Sequence, residues 1–337
     1  MVASSVGTTM RHVAWIVAVV LAGVAVADEL PKNTDEIESL TLREAQVLTL
    51  RKADLSLNGL AELPPEVAHT LAKHDGSLSL NGLTSLSPEI AEALAKHTRG
   101  LCLNGVTTLS PQAAEALAKY AGDVTLSGVA SLSDEAAAAL ATHKGQLFLD
   151  GLTALSPEAA AALARHEGNL SLNGLTALPD AAAEALGKHK GELSLRGLTS
   201  LSSSSARALA AHEGMLSLSG LTELPPGLAE TLAQHKGPLF LNGLTTLSPM
   251  AAKVLAAHEG DLALCGVTAL SDEAAAALAK HKGMLLLNGL TSLSPTAALA
   301  FEQHEGSLFL RGLLALPAKA AEAMRKDQKF ILPVNLY

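Results

Sequence analysis

The chain is 337 residues long and 48% hydrophobic, yet it holds only eight aromatic residues, and alanine, leucine and glycine dominate. A single large core packed to normal interior density needs bulkier side chains, so the composition excludes one and favours many thin layers. Lys and Arg number 24 against 33 Asp and Glu, a net charge of −9, which repels phosphate backbones and argues against nucleic acid as a partner.

The N-terminal stretch reads as a secretory leader. Met10-Arg11-His12 is a basic start, Val13 to Ala22 is an apolar run, and Ala25-Val26-Ala27 is a small-residue cleavage site before Asp28. The rival reading is a retained anchor, but Val13 to Ala27 is shorter than the ~20 residues needed to span a bilayer. The expectation is therefore a leader over 1–27, and a secreted, periplasmic or extracellular product. From Asp28 onward the chain carries 23 basic and 33 acidic residues, a net charge of −10.

Residues 28–54 form an N-terminal cap. Within them Leu40, Ala45 and Leu48 keep the spacing of a degraded repeat, and Thr41-x-x-Glu44 is a capping box at a helix start. Twelve rows then run from Leu55 to Lys329 with a period of 23, and such a period decides the fold. Row positions one and three are apolar, as in Leu78 and Leu80, so each row opens with a short strand. Position five is always glycine, from Gly59 to Gly312, where a positive φ or a close approach to a neighbour is expected. Ser87-Pro88-Glu89 starts a helix, with serine as N-cap and proline at the first helical position. Ala91, Leu94 and Ala95 give that helix an apolar face. A glycine two residues beyond the histidine, such as Gly145 after His143, fits the C′ position that ends a helix. Phe330-Ile331-Leu332 opens a terminal strand over 330–337, and Pro333 stops it and blunts the edge.

One strand and one helix per row cannot close a core alone and must stack. The expected fold is an α/β right-handed solenoid of twelve strand–turn–helix repeats, with a parallel sheet on one face and helices on the other. Over residues 55–329 this resembles the leucine-rich-repeat family, on period, leucine spacing and glycine placement. One departure stands out. The resemblance places a ladder asparagine at position six, where this chain has Leu83, Leu152 or Leu244; asparagine sits at position four instead (Asn58, Asn81, Asn104, Asn173, Asn242, Asn288). Position-seven threonines such as Thr84 are candidates to satisfy the backbone groups left over.

Position twenty holds ten histidines, His74, His97, His143, His166, His189, His212, His235, His258, His281 and His304, interrupted by Tyr120 and Asp327. A metal ladder is one reading. The preferred one makes each histidine a cap on the carbonyls at its own helix C-terminus. On that reading the column charges near or above pH ~6.5, the net charge rises to about zero, and solubility falls near pH 5–6. No catalytic arrangement emerges: Ser87 and His97 end one helix about 15 Å apart, and the His-Glu-Gly runs at His166 and His212 lack zinc-protease spacing. Cys102 and Cys265 lie seven strands apart, about 30 Å at sheet spacing, beyond disulfide reach. No cofactor and no metal are expected.

Rows this alike make their differences informative. Position two, on the outward sheet face, is Ser171, Ser194 and Ser217 in three central rows but Phe240, Ala263, Leu286 and Phe309 in the last four, with Met215 and Met284 alongside. An apolar patch on a sheet face marks an interaction site; the alternative is drift on a tolerant surface. Met215, Phe240, Ala263, Met284, Leu286 and Phe309 are thus the candidate contacts for a protein or peptide partner of a non-enzymatic scaffold. A structural spacer that self-associates is the competing function, and scarce aromatics weaken glycan binding.

Overall fold

The computed structural model describes residues 30–336; the expected leader, with Trp15, lies outside them. The chain divides into two compact units, the first reaching Leu126 and the second running from Ser127 onward.

In the first unit a short 3-10 turn, Thr34–Glu36, leads into the helix Leu42–Leu48. Its capping box is closed: the Thr41 N–H donates to Glu44 Oε2 at 2.8 Å and the Glu44 N–H donates to Thr41 Oγ1 at 3.3 Å. Strands β1 (Leu55–Ser56), β2 (Leu78–Ser79), β3 (Leu101–Cys102) and β4 (Val124–Thr125) then pair in parallel in chain order. The second unit carries β5 (Leu147–Phe148), β6 (Leu170–Ser171), β7 (Leu193–Ser194), β8 (Leu216–Ser217), β9 (Leu239–Phe240), β10 (Leu262–Ala263), β11 (Leu285–Leu286), β12 (Leu308–Phe309) and β13 (Phe330–Ile331), again parallel and in order. Each strand is followed by one short helix, so both units are stacks of the strand–turn–helix module. The register repeats too, Leu170 lying opposite Leu193 and Leu193 opposite Leu216. The terminal strand opens at Phe330 as expected, but the period of 23 does not hold to the end: Leu308 pairs with Phe330, so the last repeat, 308–329, is one residue shorter than the rest.

The module follows from its residues. Leu78 and Leu80 turn inward, fully buried, while their N–H groups donate to the Gly100 and Cys102 carbonyls on either side of Leu101 at 2.7 and 2.9 Å. The chain then reverses through Asn81-Gly82, closed by the Leu83 N–H to the Leu80 carbonyl at 3.2 Å. The Ser87 hydroxyl accepts from the Ile90 N–H at 3.3 Å and starts Pro88–Leu94. Ala91 and Leu94 bury the helix face completely. Alanine recurs at the Ala91 position in all twelve rows, which lets each helix lie close on the strands.

The glycines act through space rather than through conformation. Among the described residues no glycine has a positive φ, which overturns both the positive-φ expectation at position five and the C′ reading of the second glycine column. A Cβ on Gly174 would lie 2.2 Å from the Asp150 carbonyl oxygen and 2.6 Å from that of Leu152, both in the preceding repeat. A Cβ on Gly191 would lie 2.2 Å from the Gly168 oxygen. At Gly174 and Gly191 backbone packs on backbone, and there is no room for a side chain.

Gly174→Val should therefore destabilise the second unit by about 3 kcal/mol, the cost of an overpacked site that cannot relax. Gly227, in the helix Pro226–Leu232, has nothing within 4 Å of a Cβ, and Gly227→Ala should stabilise by about 0.5–1 kcal/mol. Urea midpoints of the two variants measure both; an unchanged midpoint for Gly174→Val would refute steric exclusion.

Candidate binding surface

The outward face of the sheet is ordered by a side-chain ladder at position four. The Asn81 N–H donates to Asn58 Oδ1 at 2.9 Å and the Asn104 N–H to Asn81 Oδ1 at 2.8 Å. In the second unit the Asn173 N–H donates to Asp150 Oδ1 at 3.0 Å, and the Arg196, Cys265 and Arg311 N–H groups donate to Asn173, Asn242 and Asn288. Position-two serines complete the rungs: Ser194 Oγ donates to Asn173 Oδ1 at 2.7 Å, and the Asn173 amide donates to Ser171 Oγ at 2.8 Å. The cap joins in, since Asp35 Oδ1 accepts from the Asn58 N–H at 2.9 Å and from Ser56 Oγ; these bonds hold its carboxyl below the usual range, the Ser56 bond most. The backbone groups are thus met from position four. The threonines play a smaller part, with Thr107 Oγ1 donating to the Thr84 carbonyl at 3.2 Å.

The candidate contacts divide. Phe240, Leu286 and Phe309 lie half-buried on β9, β11 and β12, with Phe240 and Leu286 each opposite Ala263 of β10 and Leu286 opposite Phe309. Ala263 is only 1% exposed: it lacks the reach to emerge between larger neighbours, so it is a floor residue and not a contact. Met215 and Met284 are half-buried. Ile331 extends the same column beside Phe309 on the terminal strand, a contact the candidate set stopped short of. Arg311 stands over the Phe309 ring at 5.6 Å. A depression of about 310 Å³ lies farther toward the N-terminal side, lined by Phe148, Asp150, Ser171, Asn173, Arg196 and Met215. Only Met215 among the candidates reaches it.

The histidines do not sit as expected. Each His N–H does close its helix end, as from His189 to the Leu186 carbonyl at 3.0 Å. The ring, however, turns inward against the preceding repeat: His74 Nε2 lies 3.0 Å from the Ala53 carbonyl and His97 Nδ1 3.3 Å from that of Ala72. From His143 to His304 the eight rings form one column, centroids 6.0–6.2 Å apart and planes within 3–12° of parallel. All are 1–2% exposed. Burial pushes the pKa of His189, His235 and His281 down to about 4, with repulsion from the imidazoles on either side as the next cause. Burial lowers His166, His212, His258 and His304 as well. His189, His235 and His281 are therefore neutral at pH 5–6, and burial opposes the expected charging near pH 6.5 at their neighbours too. Among the described residues no three His, Cys, Asp or Glu side chains come together as a metal site, Cys102 and Cys265 are free, and no helix is long and apolar enough to cross a membrane.

Stacked strand–turn–helix modules with leucines inside and a laddered sheet face outside make the fold a solenoid of the leucine-rich-repeat type. In sequence the chain matches no protein-family model and no curated protein. Among solved structures it is similar to an internalin from Listeria monocytogenes, at 14% identity over 93% of this chain and 94% of that one, TM-score 0.48. It is also similar to a leucine-rich-repeat protein of Leptospira interrogans (18% identity, 89% and 96% covered, TM-score 0.33) and to a chain of the yeast Rad7–Elc1 complex (16%, 96% and 90%, 0.40).

The histidine column predicts an acid limb. Its members bind a proton in the unfolded chain below pH ~6.5 but not in the folded one until about pH 4 at His189, His235 and His281. Their contribution is intact above pH ~6.5 and is lost as pH falls toward 4, at roughly 1.4 kcal/mol per pH unit for each. Urea midpoints between pH 7 and 4.5, above most carboxylate titration, should fall steadily. A flat profile there would contradict a buried neutral column.

Proposed function

We propose that this chain is a secreted, non-enzymatic scaffold that binds a protein or peptide through its sheet face, chiefly in the C-terminal third. The observation that carries the reading is the column Phe240, Leu286 and Phe309, half-buried on β9, β11 and β12 of one run of parallel strands. The position has a polar use elsewhere. Ser171 and Ser194 donate there to Asp150 and Asn173, and a phenylalanine or leucine gives up that rung. Large apolar side chains in place of useful hydroxyls suit an anchor for a partner, because interface energy concentrates in a few such groups. Arg311 beside Phe309 favours a partner segment with a carboxylate next to its apolar anchor.

The triple change Phe240→Ser, Leu286→Ser, Phe309→Ser should leave the melting temperature near that of the parent. It should weaken binding of the partner recovered from native secreted material by more than about tenfold, the scale of losing one anchor. Equal binding by parent and variant would remove the sheet-face reading.

The leader reading rests on Met10 to Ala27. Intact mass of secreted material should place its N-terminus at Asp28. A mature species that still contains Trp15, visible by tryptophan fluorescence, would show that the leader is retained.

A further inference from the structure

Position twenty-one, next to the buried imidazoles, carries a pattern of its own. From Lys144 onward it reads Lys144, Glu167, Lys190, Glu213, Lys236, Glu259, Lys282 and Glu305, strictly alternating in sign, with Gln328 following. All eight are exposed and all belong to the second unit. The adjoining rings step by 6.0–6.2 Å per repeat, so these charges form a regularly spaced ladder along one edge of the helix layer. Lys144 and Glu167 close to 3.0 Å.

Alternation keeps like charges apart within one chain. The even count adds a second property. The ladder begins with Lys and ends with Glu, so reversing it turns every Lys into a Glu. Laid antiparallel against itself, each position meets its opposite: Lys144 faces Glu305, Glu167 faces Lys282, Lys190 faces Glu259 and Glu213 faces Lys236. A parallel arrangement opposes like with like eight times. That is the self-complementarity of a two-fold interface, in which one patch serves both partners.

The surroundings admit such a contact. The residues that follow the ladder are the glycines that include Gly168, Gly191, Gly214 and Gly260, held bare by the carbonyls beneath them, so a second surface approaches to backbone distance. Arg165, Lys188 and Lys280 precede the ladder on its helix side, which places the contact on the glycine side. We infer that this edge is a docking surface for a second copy of the same chain, antiparallel, with the two-fold axis between Glu213 and Lys236.

The test uses the full chain in sedimentation equilibrium. The parent should dimerise, about tenfold more weakly in 0.5 M than in 0.05 M NaCl, because exposed charge pairs are screened. Glu213→Lys sets two lysines opposite each other, and Lys236→Glu sets two glutamates; each alone should weaken the dimer by about tenfold. Mixed in equal amounts, the two variants should recover parental affinity as a heterodimer, because every opposing pair is again Lys–Glu. A ladder that serves only its own chain gains nothing from mixing. A monomeric parent, a salt-insensitive dimer, or a mixture no tighter than either variant overturns the inference. A variant with all eight charges reversed keeps every attraction within the chain and guards against misfolding: it should pair with itself and not with the parent, and free exchange between the two would equally overturn it.

Discussion

In a stack of like repeats each residue lies against its own copy in the next layer, so a side chain is admitted at a position only if it tolerates itself at sheet or ring spacing. Leucine does so by dispersion. Where backbone must touch backbone, as at Gly174 and Gly191, only glycine does. An amide suits a ladder because it donates and accepts at once, and the Asn58–Asn81–Asn104 run shows it passing bonds along. A charged side chain cannot follow itself and must alternate. The four columns are four answers to that one requirement.

Histidine is a less obvious answer. A flat ring fills a slot one repeat deep and stacks parallel to its neighbours, and its burial disfavours the charged form, which would set a cation between other rings. Tyr120 occupies the same slot at 2% exposure, its hydroxyl reaching the Arg99 carbonyl. The position therefore selects for planar shape before it selects for imidazole chemistry. A helix-capping role assigns the ring to its own helix, whereas the packing gives it to the repeat before.

Much of the architecture was legible because periodicity is written directly in the residues. Leu78 and Leu80 announce a strand, Ser87-Pro88 a helix start, and Thr41-x-x-Glu44 a cap; each is a local signal with a local outcome. What failed to show were relations between copies. Nothing near Gly174 says whether it is chosen for φ or for the Asp150 oxygen, since the atom concerned lies a whole repeat away. The ladder at Asn58 and Asn81 was visible as a column of letters, yet its bonding depends on where the turn aims the amide. The apolar column was found but overdrawn at Ala263, which its neighbours cover, and stopped one strand short of Ile331, whose strand was read only as an edge.

The alternating edge bears on how such a chain can lengthen. Inserting or deleting one repeat within that stretch sets Lys beside Lys or Glu beside Glu, whereas two at once restore the order. Repeat number there changes without an electrostatic fault only in twos, so unequal recombination leaves the ladder whole when it moves repeats as couplets, and a tandem pair is its heritable unit.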